Sequence, residues 1–211
     1  MKKLIVFGAT GGTGKQVVEQ ALQAEHQVTV VVRNPDAFNI QHKNLEIIKG
    51  DVFQPLTFSN AIKEKDVIIS CLGVQHKKPT IIYSEGINNI IQVMQREKVN
   101  RIICLSAGAV IVPSKSSLFL KFVTKNILQR LFKYMYADML IMEKILRNAN
   151  LNWTVVRPPW LRDSKYTAKY RTTINEHLSN PSKISRADLA HYIINHLTDE
   201  KTFKAVIEIS Y

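Results

Sequence analysis

The sequence predicts a doubly wound α/β domain built on a mostly parallel sheet. Three observations lead there. An apolar run from Leu4 to Phe7 meets glycines at positions 8, 11, 12 and 14, and a helix-compatible stretch follows. A second apolar run, Val28 to Val32, comes next and carries the β-branched residues of a strand buried on both faces. The same alternation of short apolar runs and helix-period segments then continues to Ser210.

The elements follow in order. Leu4 to Phe7 is the first strand, and Val17, Val18, Ala21 and Leu22 recur at helical spacing behind the glycines. Leu45 to Val52 reads as a third strand and Ser59 to Lys65 as a short polar helix. Asp66 to Gly73 is a fourth strand ending in glycine. Pro79 to Lys98 is a long helix with proline in its first turn and an apolar face of Ile82, Gly86, Ile90, Val93 and Met94. Arg101 to Gly108 is the fifth strand. Ser117 to Ala149 is helical, as one helix or two, and Trp153 to Pro159 is the sixth strand. Ser185-Arg-Ala-Asp188 caps a helix running to about Leu197, and Val206 to Ser210 is the last strand. No repeat, linker or low-complexity segment interrupts this pattern, so residues 1–211 read as one domain.

The glycine cluster states the chemistry. Its spacing is Gly8-x-x-Gly11-x-x-Gly14, with Gly12 between and Thr10 and Thr13 able to donate further hydrogen bonds. Gly8 lets the chain turn at the strand end, Gly11 and Gly12 let backbone approach a phosphate, and Gly14 lets the helix pack close to the strand. Strand, tight turn and helix in this order put a pyrophosphate on a helix N-terminus, as a bound dinucleotide requires. The end of the second strand then selects the dinucleotide. NAD sites usually carry an acidic residue there to hold the ribose 2′-hydroxyl. This chain has Arg33-Asn34-Pro35, and a guanidinium suits a 2′-phosphate, so NADP is expected over NAD. The alternative for Arg33 is a solvated loop cation.

Length and composition bound the rest. With 211 residues and 45% hydrophobic content the chain can bury a sizeable core. No stretch approaches the length of a transmembrane helix, and the run after Met1-Lys-Lys is too short for a signal peptide, so a cytoplasmic protein is expected. Cys71 and Cys104 fall in apolar strands and read as buried thiols, and the six histidines show no metal-ligand spacing. The net charge of +12 suits an anionic cofactor or substrate as well as a nucleic acid or membrane. No nucleic-acid reading motif accompanies it. From Lys98 to Ala137 there is no acidic residue. Within that span, residues 118–133 alternate apolar and cationic side chains. They read either as a helix lying on a membrane surface or as a lid over the substrate cleft, and the lid is favoured because amphipathic helices of globular domains usually face the core.

In a doubly wound sheet ligands lie at the carboxyl ends of the strands. Gly8, Arg33, Asp51, Cys71-Leu72-Gly73, Ser106 and Pro158-Pro159 fall there. Asp51 could accept from an adenine amino group or serve as a turn residue. Gly73 lets backbone approach the ribose or simply turns the chain. Ser106 could orient the nicotinamide amide or the acceptor, or bond to backbone.

These residues together resemble the atypical short-chain dehydrogenase/reductase superfamily. Within it they are most similar to the NAD(P)H-binding, NmrA-like group that includes biliverdin reductase B, a flavin reductase. The matching elements are Phe7-Gly-Ala-Thr-Gly-Gly-Thr-Gly14, Val31-Val-Arg33, Gly50-Asp51-Val52, Leu72-Gly73, Leu105-Ser106-Ala107, Arg157-Pro158-Pro159 and Ile184-Ser-Arg-Ala-Asp-Leu-Ala190, in order along nearly the whole chain. The resemblance implies a Rossmann-type fold with a small C-terminal substrate-side region. It implies that residues 8–14 bind pyrophosphate, Arg33 the 2′-phosphate and Asp51 and Val52 the adenine. Leu72 and Gly73 would lie near the nicotinamide ribose, and Pro158 and Pro159 would shape the nicotinamide end.

One departure matters. Typical members carry Tyr-x-x-x-Lys on a helix, where tyrosine exchanges a proton with the substrate oxygen and lysine lowers its pKa. Here Lys144 stands in a plausible place, but Leu140 stands four residues before it and cannot transfer a proton. Tyr136 precedes Lys144 by two helical turns, about 12 Å, too far to replace the missing tyrosine beside it. Lys144 could still bind ribose, or be an exposed helix lysine. A reductase would then use an acceptor that needs no strong protein acid, such as a flavin, quinone or tetrapyrrole, or a small carbonyl. A non-catalytic NADP(H) sensor is the alternative. Members of such folds occur as monomers and homodimers.

Overall fold

The computed structural model describes residues 1–111 and 122–211. Its centre is an eight-stranded sheet in the order β3-β2-β1-β4-β5-β6-β10-β8. The strands are β1 (Lys3–Phe7), β2 (Gln27–Val32), β3 (Leu45–Lys49), β4 (Val67–Ser70), β5 (Arg101–Leu105), β6 (Asn152–Arg157), β8 (Arg171–Ile174) and β10 (Ala205–Ser210). All pair in parallel except β8, which runs antiparallel to β10 at the edge. A separate parallel pair joins β7 (Trp160–Arg162) to β9 (Lys183–Ser185).

Alternation along each strand sends successive side chains to opposite faces. In β1, Leu4 and Val6 pack on one side and Ile5 and Phe7 on the other. The first face is covered by α1 (Gly12–Gln23) and α6 (Arg186–Asn195), through Val17, Val18, Ala21, Leu189, Ala190 and Ile193. The second is covered by α3 (Ser84–Arg96) and α5 (Lys133–Asn148), through Ile87, Ile90, Met94, Met139, Met142 and Leu146. The layers are those the sequence predicts.

Element ends differ from expectation for identifiable reasons. The helix expected from Pro79 starts at Ser84, where the carboxylate of Asp138 on α5 caps it: Tyr83 N donates to Asp138 Oδ2 at 2.9 Å and Ser84 N to Oδ1 at 3.3 Å. The helix expected to reach Lys65 is the short α2 (Ser59–Ile62), and the chain beyond it turns through a positive φ at Glu64. The sixth strand stops at Arg157, before Pro158 with its missing N–H. In the helical region expected from Ser117, residues 117–121 lie outside the described residues. A π-helical turn, Thr124–Leu128, leads into α4 (Gln129–Leu131), and Phe132 breaks the path before α5. Strands β7 and β8 are too short and too exposed to carry a strand pattern in sequence, and β9, though mostly buried, is only three residues long.

Candidate functional site

Parallel pairing brings the carboxyl ends of the central strands to one edge. In register, Phe7 stands opposite Val31 and Ser70, Ser70 opposite Cys104, and Leu105 opposite Val156. The residues that follow these positions therefore form a row: Arg33 after β2, Gly8 after β1, Leu72 and Gly73 after β4, Ser106 after β5 and Pro158 after β6. Neighbouring strands are about 4.8 Å apart, so the row is long enough for an extended ligand. It also spans the point between β1 and β4 where the strand order reverses, the usual crevice of such sheets.

The glycine loop leaves no room for side chains. Gly8 has φ +76°, and a Cβ there would lie 2.3 Å from the Cys71 carbonyl oxygen. At Gly14 it would lie 2.2 Å from the Gly8 oxygen. At Gly12 it would strike the Arg186 side chain, 2.7 Å from its Cδ. Gly11 N donates back to Gly8 O at 3.1 Å, which closes the turn, and Lys15 N makes the helix bond to Gly11 O at 2.8 Å. Among the described residues the N–H groups of Gly12, Thr13 and Gly14 have no acceptor. No side chain caps α1 and no acidic residue lies in its first turn. Backbone donors without acceptors at the positive end of a helix dipole fit a pyrophosphate. Thr10 is exposed and Thr13 buried.

Arg33 is exposed and makes no ion pair among the described residues. Asp51 forms a tight turn, with Phe53 N donating to its Oδ1 at 3.0 Å and Gln54 N to its carbonyl at 2.8 Å. One carboxylate oxygen is thus used locally, and Oδ2 makes no hydrogen bond among the described residues. Val52 is buried, and its carbonyl accepts from the Asn89 amide at 2.9 Å. Gly86 of α3 lets that helix close on Leu72 and Val52, since a Cβ there would come within 3.0 Å of Leu72. Gly73 is open, its nearest neighbour for a Cβ being the Tyr83 hydroxyl at 3.9 Å.

Ser106 sits in a buried polar cluster that the sequence reading did not contain. Its hydroxyl donates to Glu143 Oε1 at 2.7 Å. The same oxygen accepts from Arg157 Nε at 2.9 Å, and Arg157 Nη2 donates to Glu143 Oε2. All three residues are buried. A hydroxyl whose proton is committed to a carboxylate offers only its lone pairs elsewhere. Ser106 can therefore accept from a ligand N–H and is poorly placed to give a proton to a ligand oxygen. Glu143 was within reach of sequence reasoning. Tyr136, Met139, Met142, Glu143 and Leu146 share the buried side of α5, and a carboxylate on that apolar stripe is itself a signal. Lys144 is exposed, as is Leu140 at 41%. The structure thus brings Glu143, and not Lys144, to Ser106, and the Leu140–Lys144 register lies on the outer side of the helix.

Beyond Ser106 a cavity of about 430 Å³ opens between the sheet edge and the segment before α5. Pro158, Pro159 and Trp160 form one wall, and Val123, Leu128 and Phe132 contribute another. Its polar groups include Tyr136, Arg157 and Glu208. Burial pushes the Tyr136 phenol up from its ordinary pKa. Glu208 is held by His177 Nδ1 at 2.7 Å and by Leu178 N at 2.9 Å. Of the segment 118–133, residues 118–121 lie outside the described residues. Val123, Thr124 and Leu128 line the cavity, whereas Ile127 and Leu131 are exposed. No helix among the described residues is long and apolar enough to cross a membrane.

Known proteins resemble this chain in sequence or in fold. An uncharacterised chloroplastic protein of Arabidopsis thaliana is 26% identical over 99% of this chain and 76% of its own length. A candidate NADH-flavin reductase from Streptococcus pneumoniae has the same fold, with a TM-score of 0.82 at 24% identity over 100% of this chain and 99% of its own. The anaerobilin reductase ChuY of Escherichia coli O157:H7 superposes with a TM-score of 0.81 at 19% identity, covering 99% and 96%. At these identities the likeness is one of fold. The family model described as NAD(P)H-binding matches residues 8–200, from the first glycine of the loop to beyond α6, and the chain belongs to that NAD(P)H-binding family.

Proposed function

We propose that this protein is an NADPH-dependent oxidoreductase that reduces a planar conjugated acceptor, a flavin, quinone or tetrapyrrole, or a small carbonyl. Bound NADPH supplies a hydride, two electrons and a proton nucleus, and leaves as NADP⁺. The second proton comes from solvent. The carrying observation is the Ser106–Glu143 hydrogen bond, whose carboxylate also binds Arg157, a residue lining a largely apolar cavity. It makes Ser106 an acceptor for the nicotinamide carboxamide, and among the described residues no lysine bonds to it to support a proton-donating tyrosine. An acceptor that spreads incoming charge over a conjugated ring needs position more than a protein acid.

The residues divide the work along the row. Gly8, Thr10, Gly11, Gly12, Thr13 and Gly14 hold the pyrophosphate, Arg33 the 2′-phosphate, Asp51 and Val52 the adenine, and Leu72 and Gly73 the ribose. Pro158 and Pro159 form a rigid wall at the nicotinamide. Lys144, on the outer side of α5, has no part in this reading. The names of two proteins that share the fold, a candidate NADH-flavin reductase and an anaerobilin reductase, favour the same acceptor class.

The test is loss of NADPH absorbance with purified protein and a panel of flavins, quinones, tetrapyrroles and small carbonyls. Enzyme-dependent loss with a conjugated acceptor is expected. Tight NADPH binding with no turnover would favour a redox sensor, a second reading supported by the outward-facing Leu140–Lys144 register.

A further inference from the structure

Arg186 opens α6 directly after its cap, Ser185, whose hydroxyl accepts from Asp188 N at 2.9 Å. That cap fixes where the helix begins and so where the arginine points. Its side chain crosses from one helix of this face to the other and lies against Gly12. A Cβ at Gly12 would be 2.7 Å from Arg186 Cδ, 2.8 Å from Nε and 3.5 Å from Cζ. The guanidinium therefore lies over the first residue of α1, beside the backbone N–H groups that lack acceptors. Arg186 Nη1 donates to Asp163 Oδ1 at 2.8 Å, but that carboxylate is 87% exposed, so the pair contributes little stability. The remaining donors of the fork, Nε and Nη2, make no hydrogen bond among the described residues.

We infer that Arg186 is a pyrophosphate-binding residue, a cationic clasp reaching from α6 onto the glycine loop of α1. The assignment rests on the dinucleotide reading above. A planar fork beside free backbone N–H groups completes an anion site that the backbone alone would hold weakly, because charge-assisted bonds to phosphate are the stronger ones. Asp163 occupies one Nη in the meantime, and a doubly charged pyrophosphate outcompetes a solvated carboxylate. Arg33 and Arg186 then read different parts of one ligand. Arg33 meets the 2′-phosphate, which only NADP carries, and Arg186 meets the pyrophosphate, which NAD and NADP share.

The experiment is fluorescence titration of the full-length wild type, Arg186→Gln and Arg186→Lys with NADPH and with NADH, at low and moderate salt. Arg186→Gln should weaken both nucleotides by a similar factor, about tenfold or more. Arg186→Lys should fall between, since it keeps the charge and loses the fork. Should the glutamine variant not fold, the lysine variant decides alone, with a loss of at least threefold expected for both nucleotides. Wild-type affinity in the folded variants, or a loss confined to NADPH, overturns the assignment. A wild type that binds neither nucleotide overturns the dinucleotide reading and this inference with it, a result distinct from binding that Arg186 does not influence.

Discussion

Ser106, directly after β5, and Glu143 of α5 stand thirty-seven residues apart and meet in a buried hydrogen bond of 2.7 Å that shares its carboxylate oxygen with Arg157. The pair ties the sheet edge to α5, and Arg157, which binds the same carboxylate, lines the neighbouring cavity. Breaking one member of a buried ion pair strands the other charge, which commonly costs about 3–5 kcal/mol. Glu143→Gln should therefore destabilise the fold by about that much in urea unfolding. A double change of Glu143 and Arg157 to methionine should cost less than Glu143→Gln alone. If the double variant were the less stable one, charge stranding would not explain the loss.

Gly8 and Gly73 both follow strands at the cleft, yet their backbones differ. Gly8→Ala meets a carbonyl at 2.3 Å in a left-handed conformation. It should lose about 3 kcal/mol or more and bind no dinucleotide. Gly73→Ala meets nothing nearer than 3.9 Å and should stay within about 0.5 kcal/mol of wild type. Equal melting temperatures for the two variants would contradict this account.

Arg33→Asp tests cofactor choice. The change should weaken NADPH by tenfold or more and leave NADH within about threefold, because only NADPH presents a 2′-phosphate. Equal losses for both would mean that Arg33 reads something the two nucleotides share.

Tyr136 is the phenol of the cavity wall, and its raised pKa keeps it protonated near neutral pH. With solvent as the proton source, Tyr136→Phe should keep kcat for a flavin or quinone within about threefold. A hundredfold fall in kcat at unchanged KM would make Tyr136 the proton donor and shift the acceptor class towards carbonyls.

Asp188 anchors the C-terminal end of the chain. Burial pushes its carboxyl pKa up, but donors from Tyr211, Thr167 and Ala168 outweigh burial and hold it below the ordinary value. A depressed carboxylate stabilises the fold above its unfolded pKa of about 4 and loses that contribution as pH falls through the folded value. Tyr211→Phe removes the 2.6 Å donor and raises the folded pKa towards the ordinary one. Stability at neutral pH should fall by about 1 kcal/mol, and acid unfolding followed by circular dichroism should begin at higher pH. An unchanged acid midpoint would show that Tyr211 is not what holds the carboxyl down.

How far the chain could be read before the structure depended on the range of the physics. Gly8 to Gly14 and the apolar runs from Leu4 and Val28 declare themselves locally, because turn geometry and strand burial are written in neighbouring residues. The layered sheet followed from their alternation. Helix α3 was placed five residues too early because its start is set by Asp138, far away in sequence. Strands β7 and β8 carry Trp160 and Ile174 exposed at 63% and 44%, so no buried face marks them. At the site, Ser106 was visible as a strand-end residue. Its proton's commitment to Glu143, and the reach of Arg186 to Gly12, are contacts between distant elements that no local spacing encodes.

The cap that Asp138 places on α3 also sets an order of events during synthesis. Until residue 138 leaves the ribosome, the first turn of α3 lacks the carboxylate that receives its backbone donors at Tyr83 and Ser84. The β1–β2 pairing of the N-terminal βαβ unit needs nothing beyond Val32 and is available long before then. The start of α3 therefore consolidates only when α5 docks. A nascent chain halted before Asp138 should leave the start of α3 more open to proteolytic cleavage than the full-length chain does.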